Sequence, residues 1–342
     1  NEWLQLDPTV THLTVNSNCL NELTAMPLNR LIALKELVIG DNSLNGLSAL
    51  RLDGLSGLER VVVGSNSFKN SDSNSELVVR GCSALRSVTL GANSFASFGV
   101  MEIERVPLLE ELSVGDGCLK NVDALSLNGL SGLKRVIVGE NSLVNREGDF
   151  SVRDCASVKE VRIGNGSMKS FKSITMEGVP SLEVVEMGSN VFASVNALSL
   201  NGLSGLKRVV VGSSSFNNKN GAFSVVNCTS LESVEIGSSS MGAYSVLSVD
   251  NTPSLEVLAI GSNAFKNVDA LRLNGLSKLK KVEISADSFT NKEGVFELKN
   301  CASVSELVVG DNGMKSFKSV EIVGVPSLET IRVGSNVFKN VN

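Results

Sequence analysis

A motif of the form LxxLxLxxNxL recurs along the chain from Val10 to Leu328. The copy that begins at Leu182 fills the five fixed positions with Leu182, Val185, Met187, Asn190 and Phe192. We count 14 copies at intervals of roughly 24 or 25 residues, with one longer interval from Leu58 to Leu85. A unit this short cannot bury its own apolar side, so its stability comes from stacking on its neighbours. The repeat therefore predicts a solenoid instead of a globular core.

The sequence also has a longer period, which spans three repeats of the motif. Prolines and cysteines recur at this constant spacing, at Pro107, Pro180, Pro253 and Pro326, and at Cys82, Cys155, Cys228 and Cys301. Residues 123–139 and 196–212 are identical at 15 of 17 positions. This pattern indicates duplication of a three-repeat unit. Because no linker or change in composition interrupts it, we expect residues 1–342 to form a single solenoid domain, and to be a fragment of a longer repeat protein.

The LxxLxL segment alternates apolar and polar residues, which is the period of a β-strand. The second half of each repeat also alternates, as in ALSLNGL at 197–203. The fold class we expect is an all-β-leaning repeat solenoid of about 14 repeats, each of roughly 24–25 residues. Parallel strands should line one face and extended or strand segments the other, and similar widths of the two faces predict weak curvature.

Asparagine fills the ninth motif position in nine repeats, where the chain leaves the strand. An amide can both donate and accept hydrogen bonds, so we expect these side chains to turn inward and satisfy the backbone. Five repeats carry another residue there, at Gly117, Gly166, Ser214, Ser239 and Asp287. Water or a local shift is expected at those five.

Glycine follows the LxL strand in most repeats, for example Gly40, Gly64, Gly139 and Gly212. One interpretation is backbone geometry, a tight turn or bulge at the strand end. The other is a smooth channel in which a ligand approaches the backbone.

The motif resembles that of leucine-rich-repeat proteins. The segments SVRDCASVKEVRI (151–163) and SVVNCTSLESVEI (224–236), with GSNSF, GANSF and GSNAF, look like the BspA-like subfamily. That resemblance implies location on the surface of a bacterium or protozoan parasite, and adhesion or host contact. The chain departs from the subfamily in carrying the cysteine in every third repeat only, and in having glycine where proline often follows the strand.

The composition gives no indication of nucleic-acid binding, membrane insertion, catalysis or metal binding. The net charge is −5 with no run of Lys or Arg, so nucleic acid is not an expected partner. No apolar run approaches the roughly 20 residues of a membrane helix, so no membrane insertion is expected. The single histidine, His12, excludes histidine triads and multi-histidine metal sites. We expect no enzyme activity, cofactor or metal.

The cysteines do not suit disulfides. Cysteines of consecutive three-repeat units lie three rungs apart, about 14 Å at 4.8 Å per rung, whereas a disulfide needs Cα atoms within about 7 Å. We expect the four periodic cysteines to be buried free thiols. Cys19 and Cys118 lie at the turn after the strand and match no partner. Two glycosylation sequons, at Asn165 and Asn227, are weak indications of secretion.

The candidate binding residues are outward-facing positions of the LxL strands, the third and fifth of the motif. They are Arg60, Val62, Arg135, Ile137, Glu160, Arg162, Arg208, Val210 and Lys281. This mixed charged and apolar surface suits a protein or glycan ligand, and arginine is enriched at interface hot spots. The alternative is that the exposed Val and Ile serve β-propensity alone.

Longer turns fall on one repeat type and place Arg146, Lys219 and Lys292 at equivalent positions. They predict a ridge that contributes to binding, although they also suit ordinary solvated turns. The function we expect is a non-enzymatic recognition or adhesion module at a microbial cell surface or secreted. The alternative is an intracellular, cytoplasmic interaction scaffold or structural rod.

Overall fold

A computed structural model describes residues 6–290 and 293–341. The chain forms two compact units, unit 1 (Asn1–Val179) and unit 2 (Pro180–Asn342). Each unit is a parallel β-solenoid of the leucine-rich-repeat type, and the expected fold class is confirmed. Among the described residues the only helical element is a 3₁₀ turn at Leu28–Arg30.

The LxL segments form the first face of each unit, one strand per rung. In unit 1 these strands are β1 (His12–Val15), β2 (Glu36–Ile39), β4 (Arg60–Val63), β6 (Ser87–Leu90), β8 (Glu111–Val114), β10 (Arg135–Val138) and β12 (Glu160–Ile163). In unit 2 they are β14 (Val184–Met187), β16 (Arg208–Val211), β18 (Ser233–Ile236), β20 (Val257–Ile260), β22 (Lys281–Ile284), β24 (Glu306–Val309) and β26 (Thr330–Val333).

The second half of most repeats forms the second face, as the alternating pattern predicts. In unit 1 its strands are β3 (Ala49–Asp53), β5 (Glu76–Arg80), β7 (Val100–Glu104), β9 (Ala124–Asn128), β11 (Asp149–Arg153) and β13 (Ser173–Glu177). In unit 2 they are β15 (Ala197–Ser199), β17 (Ala222–Val226), β19 (Val246–Asp250), β21 (Ala270–Asn274), β23 (Val295–Lys299) and β25 (Ser319–Val323).

Alternation along each first-face strand puts the leucine and valine positions of the motif into the core. Strands β2, β6 and β8 all alternate half-buried and buried residues. Neighbouring rungs pair in parallel with equivalent motif positions side by side, so that Glu36 lies beside Arg60 and Val38 beside Val62. Because the register never slips, each motif position forms a column that runs across the strands of a unit.

A column of buried serines satisfies the backbone where the chain leaves the first face. The Ser142 hydroxyl donates to the Gly115 carbonyl (2.9 Å) and accepts from the Cys118 N–H (3.1 Å). The same arrangement recurs at the tenth motif position in both units, and its members are fully buried: Ser43, Ser67, Ser94, Ser142, Ser167, Ser215, Ser240 and Ser288.

The prediction for the ninth-position asparagines was therefore wrong. Asn141 and Asn190 are exposed and have left-handed backbone, with φ of 53° and 59°. Asparagine tolerates this conformation better than most residues, and that explains its frequency. Gly117 and Gly166 keep the same backbone with φ of 65° and 70°, as do Ser214, Ser239 and Asp287, so no local shift occurs there.

The glycines after the strands are required by close stacking of rungs. A Cβ on Gly212 would lie 2.5 Å from the backbone nitrogen of Ser189 in the preceding rung, and one on Gly64 would lie 2.6 Å from the nitrogen of Asp41. These distances favour the backbone interpretation, although the cause is contact between rungs and not a bulge. Asn16 and Ser285 stand where the other rungs have this glycine.

The core is completed by aromatic stacks and thiols. Phe68, Phe95 and Phe98 pack together in unit 1, with the first two rings stacked at 4.5 Å. The four periodic cysteines and Cys118 are buried, and all six cysteines are free, as predicted. The single-domain assignment and the weak curvature stay predictions.

Candidate functional site

The first face of unit 1 carries an uncharged central column. Its members are the fifth motif position of five consecutive rungs, Val38, Val62, Thr89, Ser113 and Ile137. Each points away from the core and is half-buried between its neighbours. We call these five residues the unit 1 column. Depletion of charge at the centre with charge at the margin is the arrangement of protein-binding surfaces.

Charged residues flank the unit 1 column at the third motif position and pair with one another. Arg60 Nη1 lies 2.6 Å from Glu36 Oε1, and Arg135 Nε lies 3.1 Å from Glu111 Oε2. The hydrogen bond that Arg135 donates to Glu111 raises the pKa of the Arg135 guanidinium, with the Glu111 charge as the second cause. Exposed pairs of this kind add little stability. Their effect is to cancel charge along the margin.

The second motif position adds another charged line in unit 1. Glu110 accepts from Lys134 at 2.7 Å and from Arg86 at 2.9 Å. These two hydrogen bonds, that from Lys134 first, lower the pKa of the Glu110 carboxyl. At the far strand, Glu160 pairs with Arg162. The cations that the sequence identified as candidates are thus held by acids of the same or the neighbouring rung.

The first face of unit 2 has a different fifth column, in which Glu alternates with small aliphatic residues. Val210, Glu235, Ala259 and Glu283 line a groove of about 380 Å³ whose floor includes Gly212, Gly237 and Gly261. Arg208 Nε lies 3.6 Å from Glu235, and Lys281 Nζ lies 2.8 Å from Glu283. The Glu283 hydrogen bond raises the pKa of the Lys281 ammonium. Val210 and the cations of β16 and β22 therefore belong to a surface more acidic than the unit 1 column.

The structure describes two of the three residues predicted to form the turn ridge. Arg146 and Lys219 are exposed in equivalent turns, one in each unit. The Lys219 N–H donates to the Asn218 side chain at 2.8 Å, which shapes that turn. Lys292 lies outside the described residues. The ridge stays a prediction.

Within residues 6–290 and 293–341, no three His, Cys, Asp or Glu side chains come together as metal ligands. No helix in that part of the chain is long and apolar enough to cross a membrane.

The neutralising acids were missed from the sequence, although a signal for them exists. Glu36 precedes Arg60 by one repeat, and Glu111 precedes Arg135 by one repeat, which is one rung. Opposite charges at that separation lie on adjacent parallel strands and can pair. A search for charges one repeat apart would have found them.

No protein-family model and no curated protein sequence matches the chain. Among solved structures, a leucine-rich repeat protein from Bacteroides ovatus is 10% identical, with 86% of each chain covered and a TM-score of 0.25. A leucine-rich cell surface protein from Faecalibacterium prausnitzii is 12% identical over 95% of this chain and 83% of that one (TM-score 0.22). A plant peptide hormone receptor, RGFR1 in complex with RGF2, is 12% identical over 87% of this chain and 64% of the other (TM-score 0.20). The fold assignment accordingly rests on the repeat and the strand order.

Proposed function

We propose that this chain is a non-enzymatic recognition module that binds a protein partner through the unit 1 column. The observation that carries the proposal is an uncharged column on five adjacent strands, bordered by charges that neutralise one another. A partner that covers this surface desolvates little net charge, because the flanking ion pairs already exist. Unpaired buried charge is the main penalty of polar interfaces.

The size of the face sets a second requirement on the partner. Seven strands at about 4.8 Å spacing and four residues at about 3.3 Å give roughly 29 by 13 Å, or about 380 Å². A stable interface covers about 800 Å² on each partner. The partner must therefore extend beyond the strands onto the flanking turns.

The cellular location that we propose rests on the resemblance to BspA-like repeats. We propose that the module acts at a microbial cell surface, in adhesion. The alternative is an intracellular scaffold, which the unpaired thiols favour, because free cysteines are common in reducing compartments. A glycan ligand is the second candidate for the same face. It lacks support because the outward positions of β2, β4, β6, β8 and β10 carry no aromatic ring for stacking.

The binding test uses matched variants of the two faces. The double variant Val62→Glu/Ile137→Glu adds charge to the unit 1 column on non-adjacent strands, whereas Ser126→Glu/Thr175→Glu adds the same charge on non-adjacent strands of the second face, at exposed or half-buried positions. Immobilised chains are incubated with extracts and with host proteins, and bound proteins are quantified. The proposal expects a partner bound by the wild type and the second-face variant and lost in the column variant. Equal binding by both variants would reject the column as the site.

Antibody labelling of intact, unpermeabilised source cells tests location. Signal on intact cells supports a surface role. Signal that appears only after permeabilisation contradicts adhesion and favours the scaffold.

A further inference from the structure

The second face is hydrogen-bonded in groups of three strands. In unit 1, β3–β5–β7 form one sheet and β9–β11–β13 another, and in unit 2, β15–β17–β19 and β21–β23–β25 are likewise separate. The first-face strands of each unit pair without interruption, including β6 with β8 and β18 with β20. Hydrogen bonding on the second face is therefore interrupted between β7 and β9 and between β19 and β21. We call these two places the breaks.

A cleft opens at each break. The unit 1 cleft has about 330 Å³ and is lined by residues 101–105 of the β7 side and by Ser126 and Asn128 of β9. The unit 2 cleft has about 310 Å³ and is lined by residues 247–250 of β19 and by Ala270, Arg272 and Asn274 of β21. Asn128 and Asn274 occupy equivalent positions of the three-repeat unit. The break is thus a repeated feature of that unit.

The glycines that follow the second-face strands also show that neighbouring rungs are not in close contact at the breaks. Gly129 and Gly275 follow β9 and β21, and a Cβ on either would meet no atom within 4 Å. At the equivalent place in a paired rung, a Cβ on Gly81 would lie 3.7 Å from the Gly54 nitrogen. The Gly129 N–H bonds away from the break, to the Arg153 carbonyl at 2.9 Å. The preceding rung therefore leaves open space on the break side.

Missing strand pairing lowers the coupling between rungs. In a solenoid, stability is a sum of terms for each repeat and for each contact between neighbours. Local opening occurs in contiguous cooperative units, and it follows hydrogen bonding and packing. Inside a group of three, each strand pair contributes a full set of backbone hydrogen bonds. At a break that contribution is absent on the second face and remains only on the first.

We propose that each three-strand group of the second face opens and closes as its own cooperative unit, with the two breaks acting as joints. The first-face sheet stays paired across the joint, so opening is confined to one side of the solenoid. The proposal rests on the fold and is independent of the proposed function. Its test therefore does not depend on whether a partner is found.

The experiment is native-state hydrogen exchange of the full chain, read by mass spectrometry at increasing urea below the unfolding transition. Peptides from β3, β5 and β7 should share one dependence on urea, and peptides from β9, β11 and β13 should share another. Unit 2 should show the same division between β19 and β21. A single shared dependence for all second-face strands of a unit would overturn the proposal.

Matched core variants on either side of the unit 1 break sharpen the test. Leu52 in β3 and Leu127 in β9 occupy equivalent positions and are both 0% exposed. Leu127→Ala should speed exchange of β9, β11 and β13 by at least about tenfold, and leave β3, β5 and β7 within about twofold. Leu52→Ala should give the reverse.

Two outcomes contradict the joints. In one, both variants speed exchange equally on both sides of the break. In the other, the effect declines rung by rung without a step between β7 and β9. Should the alanine variants not fold, Leu52→Val and Leu127→Val remove less volume and permit the same comparison.

Discussion

The ring of Tyr244 lies directly against Gly221 of the preceding rung, so that a Cβ on Gly221 would overlap the ring carbons. Gly294 stands in the same relation to Phe317, and Gly148 to Phe171, with a Cβ there 3.0 Å from the ring. These glycines belong to the turns that the sequence indicated as a ridge. Their identity follows from packing, because φ at Gly221 is not in the left-handed region.

Gly221→Ala should destabilise the protein by about 1–3 kcal/mol, because the added methyl overpacks a full core site. The change is measured by urea unfolding. Ser75→Ala is the matched control, since Ser75 occupies the equivalent buried place in the first three-rung unit and its hydroxyl has no hydrogen-bond partner among the described residues. We expect that control to stay within about 0.5 kcal/mol. A neutral Gly221→Ala variant would contradict the packing assigned to Tyr244.

The Tyr244 hydroxyl donates to the Val195 carbonyl at 2.9 Å, across two rungs. Burial raises the pKa of this phenol, so it remains protonated and a donor throughout the neutral range. Phenylalanine fills the equivalent positions at Phe98, Phe171 and Phe317, so Tyr244→Phe should preserve the packing. We expect a loss of about 1 kcal/mol from the missing hydrogen bond, with an unchanged denaturant slope. A larger loss with an altered slope would indicate repacking instead.

The serine column gives a test that separates the tenth motif position from the ninth. Ser142→Ala leaves the Gly115 carbonyl and the Cys118 N–H without their partner, and should cost about 1–3 kcal/mol. Asn141→Gly, one residue earlier, should be close to neutral, because the position is exposed and requires only a left-handed backbone. Thermal and urea unfolding of the two variants decide the matter. If Asn141→Gly lowered the free energy of unfolding and Ser142→Ala did not, the result would support inward-turned asparagine side chains that satisfy the backbone.

Much of the fold could be predicted from the sequence, because the same motif recurs in fourteen copies and each copy indicates the same strands. Alternation identified the strands of both faces, and spacing excluded disulfides between the periodic cysteines. The role of Asn141 was not accessible in this way. A frequent polar residue at a turn suits either an inward hydrogen bond or a left-handed φ, and only the path of the backbone distinguishes them.

The candidate site was less predictable than the fold. Alternation placed Val62 and Ile137 outward correctly, but a single strand does not show what its neighbour contributes. Pairing of Arg60 with Glu36 depends on the register between rungs, which the regular spacing of the repeats does contain. The breaks in the second face are different. The second-face strands on either side of a break alternate equally well, and the longer period marks three-rung units without showing where strand pairing stops.

Cys118 occupies a position of the serine column and can ionise, so the pH dependence of stability tests how well this position is buried. Its thiol takes the place of a column serine and donates to the Gly91 carbonyl at 2.7 Å. Burial raises the pKa of this thiol to about 11. Below about pH 7.5 the thiol is protonated in the folded and unfolded chains alike, so its contribution to stability is fully present. As pH rises towards 11, the unfolded chain ionises first and the folded state loses that contribution.

Cys118→Ser supplies the matched comparison, because serine is the usual residue of the column and does not ionise in this range. Between about pH 8 and 11 the wild type should lose about 2 kcal/mol more stability than the variant, because the shift of about two pH units is worth 1.36 kcal/mol per unit and the folded thiol is itself half ionised near pH 11. Urea unfolding at intervals of half a pH unit measures the difference, and lysine and tyrosine titration cancels between the two proteins. Parallel stability curves over this range would show that the Cys118 thiol ionises as readily in the folded chain as in the unfolded one, contrary to its burial in the column.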